Sequence, residues 1–146
     1  MIPSLPNSRE IISSKDGIIT RPWFAFLRSF LTNFNSQDWT PNFTGLGVVG
    51  AVTVTARYTL SGGILYFDIE ISTSGGGTSQ STAGVTEITN SPFEAVRNGV
   101  GNVADSSAVS VLGIVLARKG TRTIALPSWG PTSNTVLISG SVQIGV

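Results

Sequence analysis

The chain contains no cysteine and no histidine. That absence excludes disulfides, Cys/His zinc centres, thiolate nucleophiles and a Ser-His-Asp triad, and it leaves the redox compartment open. Charge is scarce as well. Asp, Glu, Lys and Arg make up 12% of the 146 residues, and the nine basic and eight acidic side chains are scattered; globular chains usually carry about 25%. Such a surface must be built from Ser, Thr, Asn and Gly, or be covered by neighbouring subunits. A nucleic-acid interface needs clustered Lys and Arg, so no nucleic-acid partner is expected. No apolar run reaches the ~18 residues of a membrane-spanning helix. The start, "MIPSLPNSREIISS", lacks the basic-then-apolar pattern of a secretory signal, so a protein made and used without crossing a membrane is expected.

Aromatic residues are present but unevenly placed. Five of the twelve fall in "RPWFAFLRSFLTNF", Arg21 to Phe34. Trp23, Phe24, Phe26, Leu27, Phe30, Leu31 and Phe34 recur at helical period, with Arg28, Ser29, Thr32 and Asn33 on the other side. Thr20 suits the N-cap, and Pro22 sits where its missing N–H costs little. The pattern predicts a short amphipathic helix with a wide apolar face. Before it, Pro3, Pro6 and the Asp16-Gly17 turn signal mark residues 1–20 as an extended arm. Residues 1–35 therefore read as an attachment or oligomerisation segment. Residues 36–50, rich in Pro and Gly, read as a linker, and 51–146 as the body.

In the body the period changes to two. "VTVTARYTL" puts Val52, Val54, Ala56, Tyr58 and Leu60 on one face; after Ser61-Gly62-Gly63, "ILYFDIEIS" does the same with Leu65, Phe67, Ile69 and Ile71. "STSGGGTSQSTAG" (72–84) reads as a flexible loop. "SAVSVLGIVLARKG" reads as a long apolar strand, in which Gly113 signals a bulge or a close backbone approach. "TVLISGSVQIGV" alternates again. Seven or eight strands with turns at regular spacing predict a mainly β protein: an antiparallel β-sandwich or jelly-roll body behind the arm and helix.

Chemical signals are few. "GLGVVG" (45–50) has the spacing of a dinucleotide loop, but a strand rather than a helix follows it, so the physics of that motif is missing. Asp68 and Glu70 share the outward face of one strand, as solubility demands; an ion site or acid/base pair are the alternatives. Arg118, Lys119 and Arg122 surround a turn at Gly120 and read as solvated. Trp129, in "PSWGP", either caps one end of the sandwich or is a partner or receptor contact. Nothing requires a cofactor or a metal, and no enzymatic activity is expected. The helix has three ways to bury its apolar face: on its own body, against sister helices or a groove of another protein, or on a membrane. With only Arg21 and Arg28 as cations, the membrane is not the expected partner.

The run "SLPNSREIISSKDGIITRPWFAFLRSFLTNF" resembles the start of small structural proteins of tailed bacteriophages, where a Leu-Pro segment, an Asp-Gly turn and an "F-x-x-F-L" helix precede a β-rich domain. "WTPNFTG", "ARYTLSGGILYFDIEI", "SPFEA" and "VLISGSVQIGV" are similar to the β-domains of phage fibre and capsid-decoration proteins. The resemblance implies a virion component made in the host cytoplasm. It further implies a homotrimeric capsid decoration (cement) or head-fibre protein, attached through its N-terminal segment to the major capsid protein or another virion protein. A tail-fibre adhesin that meets a host surface glycan through loops 72–84 and 128–134 is the alternative.

Overall fold

Two Gly residues set the largest element. Gly62 and Gly63 both hold positive φ, at 57° and 79°, the pair of left-handed conformations that a two-residue hairpin turn of native twist requires. The computed structural model describes Gly17, residues 19–33 and residues 36–145, with side chains for these except residues 29–33. In it, this turn joins β3 (Gly47–Ser61) to β4 (Ile64–Ser81), the two longest strands. Their register runs from Ser61↔Ile64 to Gly47↔Gln80 with one interruption.

The protein is mainly β, with one helix, α1 (Arg21–Asn33), and ten strands among the described residues. The remaining strands are β1 (Gln37–Trp39), β2 (Phe43–Thr44), β5 (Glu87–Ile88), β6 (Gly99–Asp105), β7 (Ser110–Ala117), β8 (Ile124–Ala125), β9 (Trp129–Thr132) and β10 (Val136–Gln143). All pair antiparallel in one sheet of order β1-β3-β4-β10-β6-β7-β8-β5-β2, and β9 joins the far end of β4. Only residues 40–42 separate β1 from β2 in the chain, so the sheet curls until its two ends lie close together. Asn90 fastens them. Its side-chain amide donates to the Thr40 carbonyl at 2.9 Å, its Oδ1 accepts the Asn42 N–H at 2.6 Å, and its carbonyl accepts the Trp39 indole N–H at 3.2 Å.

The curl encloses a single core. Leu65, Phe67, Ile69 and Ile71 of β4 face Val103, Val115, Ile124, Ile88, Val136 and Ile138 from the other strands. The expected alternation holds in full along β4; on β3 Ala56 is buried and Val52, Tyr58 and Leu60 pack against the core, but Val54 is exposed. Phe67 lies over Gly140, where a Cβ would meet its Cζ at 2.6 Å. Gly140 leaves the space that the ring fills.

Two segments differ from expectation. Residues 36–50 are not a linker: they contribute β1, β2 and the start of β3. Trp39, Phe43 and Leu46 pack against the core, because the aromatics among the Pro and Gly residues have apolar area to bury. Residues 72–84 are not a free loop either, since β4 continues to Ser81. Its Ser and Thr residues carry no apolar signal, yet Ser79 and Ser81 point inward and are buried. Within this stretch Gly75–Gly77 stand opposite Gly50 as a bulge, with positive φ at Gly50, Gly75 and Gly76. The bulge bends β4, so that Ile64–Ile71 pair with β10 but Ser79 and Ser81 pair with β9. The expected arm up to residue 16 lies outside the described residues.

Candidate functional site

The helix begins where the sequence places it. The Thr20 carbonyl accepts the Phe24 N–H at 2.9 Å, and Pro22 lies in the first turn. Trp23 and Phe26 meet edge to face, with centroids 5.8 Å apart and rings at 83°, and both are half-buried. Phe24 and Leu27 remain out in solvent, at 58% and 38% exposure. The helix approaches the sheet at β3, yet no described helix residue belongs to the core or packs on it. The side chains of Phe30 and Leu31, and Phe34 altogether, lie outside the description.

Of the two readings of Trp129, the covering one fits and the partner or receptor contact does not. The residue is 6% exposed and part of the core, with its indole N–H buried and without a partner. The loop expected to display it is strand β9, paired to β4 at Ser81; pairing turns the ring inward, and no surface contact is made by it in this chain. Asp68 and Glu70 do project from the outer face of β4, and the Ser72 hydroxyl donates to Glu70 at 2.7 Å. No group of three or more metal-ligating side chains gathers among the described residues. No described helix is long and apolar enough to cross a membrane. At the basic turn, Arg118 pairs with Glu87 at 2.9 Å, and the Asn98 side chain accepts the Lys119 N–H.

The outer face of the sheet divides in two. Along the central part of β3 and β4 the outward positions are mostly polar or charged, with Val49 and Tyr66 as exposed exceptions; Arg57 lies beside Asp68 in register and bonds Asp38 at 3.1 Å. On β10, β6 and β7 they are uncharged and largely apolar. Register sets Leu137 beside Ala104 and Val111, and Ser141 beside Val100 and Leu116; Ser139, Asn102 and Ile114 form the row between. Exposure is 63% at Val100, 70% at Val111, 67% at Ile114, 39% at Leu116 and 40% at Leu137. A bulge at Leu112 lets β7 turn both Leu112 and Gly113 toward the core while Val111 stays outside. Gly113 is also the close approach that its position suggested: a Cβ there would lie 2.5 Å from the Pro127 Cβ. Sequence inspection did not separate this outer patch from the core. The signal was "VLGIVLA", apolar at both alternations, a pattern that fits a strand with both faces covered.

The patch ends at a pinned turn. Asp105, buried, accepts N–H bonds from Ser107 and Ala108 at 2.9 Å on Oδ1 and the Asn134 amide at 2.8 Å on Oδ2. The Ala108 amide above all, with Asn134 and Ser107, holds the carboxyl below its ordinary range, against the opposing effect of burial. The turn carries Val109 at φ 51°, a left-handed conformation that a β-branched residue adopts at a cost, with 90% of it exposed.

Searches against known protein families, characterised proteins and solved structures find no match to this chain.

Proposed function

We propose that the chain is a non-enzymatic structural protein of a tailed-bacteriophage virion. It serves as a homotrimeric capsid decoration (cement) or head-fibre protein that attaches through its N-terminal segment to the major capsid protein or another virion protein. One observation carries the reading: the sheet completes its core with no described residue from α1, while Phe24 and Leu27 of that helix stay exposed. A core built without the described helix side chains leaves the exposed apolar surface of Phe24 and Leu27 to be spent on something else. Covering a large apolar side chain is worth about 1.5–3 kcal/mol, so a groove on a capsid subunit that accepts this face gains several such increments. The scarcity of charge and the resemblance of the N-terminal run to phage structural proteins point the same way.

The test is removal of residues 1–35. The cut leaves β1 and its contacts in place, so the truncated chain should keep its far-ultraviolet β spectrum and a cooperative melt. It should be missing from purified particles. Normal incorporation of the truncated chain would refute the anchor.

A further inference from the structure

We infer that the outer face of β10, β6 and β7 is the surface on which a second copy of this chain docks. The inference rests on the self-association in the proposed function and assigns it to the body, apart from α1. Two observations select a second copy as the occupant.

The first is area. A Val, Leu or Ile side chain offers roughly 60–120 Å² of apolar surface. At their observed exposures, Val100, Val111, Ile114, Leu116 and Leu137, with Val109 at the adjoining turn, present roughly 200–450 Å² together. A standard interface takes about 800 Å² from each partner, of which a little over half is apolar, or about 450 Å². At its upper end the patch matches that share, and the largest apolar patch of a chain, typically roughly 300–600 Å², is often a functional surface.

The second is charge. The outward strand positions of β10, β6 and β7, Gln143 included, hold no Asp, Glu, Lys or Arg. The charges begin on the neighbouring strand β4, at Asp68 and Glu70. A partner of opposite charge would find nothing to pair with here. The complement of an uncharged apolar face is another such face, and this chain carries one. The pinned turn adds rigidity at one end: Asp105 fixes the backbone at Ser107 and Ala108, next to the exposed Val109. Docking that covers Val109 offsets the cost of its left-handed backbone.

Sedimentation of the full-length protein across the micromolar range tests the inference. The wild type should associate. Ile114→Lys should weaken association by about 100-fold, because docking would bury an unpaired ammonium. Thr55→Lys, on the polar half of the same outer face, should leave it unchanged. Asn102→Arg serves as the second variant. It places a charge at the centre of the patch while removing no apolar group, so it decides the matter if Ile114→Lys fails to fold by circular dichroism. Undiminished association of either folded variant overturns the inference and leaves self-association standing through another surface. A wild type that stays monomeric overturns both. Attachment to particles is read separately by incorporation, so its failure is distinguishable from failure here.

Discussion

Phe67 and Phe24 are the same side chain in opposite situations. Phe67 is 2% exposed, wedged against Gly140 on β10, whereas Phe24 is 58% exposed on a helix none of whose described side chains belongs to the core. The difference separates two uses of apolar surface in one chain. Inside the curled sheet it supplies the free energy of folding. On α1, and again on the outer face of β10, β6 and β7, it stays in water, and the proposals above assign it to association. A protein that needed only to fold would gain from moving such groups inward or replacing them with polar ones.

The harshest way to break this comparison is at its buried end. Phe67→Ala should cost about 3–5 kcal/mol, since a cavity opens above two glycine-containing strands whose backbones have no side chain to fill it. That is a large part of a typical 5–15 kcal/mol stability, so the variant should show a sharply lowered urea midpoint or no cooperative transition. Filling the site from the other side, by Gly140→Val, should also destabilise, by overpacking of about 1–3 kcal/mol. If both variants melt like the wild type, Phe67 is not the keystone that its burial suggests.

An intermediate effect is expected at Asp105. Its folded-state carboxyl titrates below the ordinary value of 3.8, and a depressed carboxylate stabilises the fold only while ionised. That contribution is fully present above the unfolded-state value and fades as the pH falls through it toward the folded-state value. The wild type should therefore lose stability on acidification below about pH 4. Asp105→Asn should be less stable at neutral pH and should show a shallower acid loss, measured as thermal midpoints between neutral pH and pH 2.5 or so. Equal acid slopes would mean that other carboxylates dominate.

Much of this organisation was legible in the sequence, for identifiable reasons. Alternation located the hairpin and its inward residues, because side chains on a strand change face at every residue. Helical period and the Thr20-Pro22 start located α1. The Ser/Thr/Gly stretch of β4 was not legible, since its strand is specified by backbone pairing with β3 and β9, to which side-chain hydropathy is blind. Trp129 shows the same limit: Pro and Gly around it suggested a loop, and a four-residue strand turned the indole inward. The outer patch depends on the register of strands drawn from positions 99–105, 110–117 and 136–143. No local window contains that information.

The smallest expected change in stability sharpens the comparison most. Phe24→Ser with Leu27→Ser removes apolar surface that is more than half in water at Phe24 and over a third so at Leu27, and leaves the edge-to-face contact of Trp23 with Phe26 intact. Surface substitutions of this kind shift stability by about 0.5 kcal/mol or less. The melting midpoint should therefore stay within a few degrees of the wild type, while incorporation into particles should fall steeply. Sedimentation should be unaffected, because the face assigned to self-association lies on the body. A variant that melts early would instead place Phe24 and Leu27 in the folding economy of the sheet, and α1 would be part of the body rather than its tether. A variant that keeps both its melt and its place on the particle would leave the exposed helix face without a use.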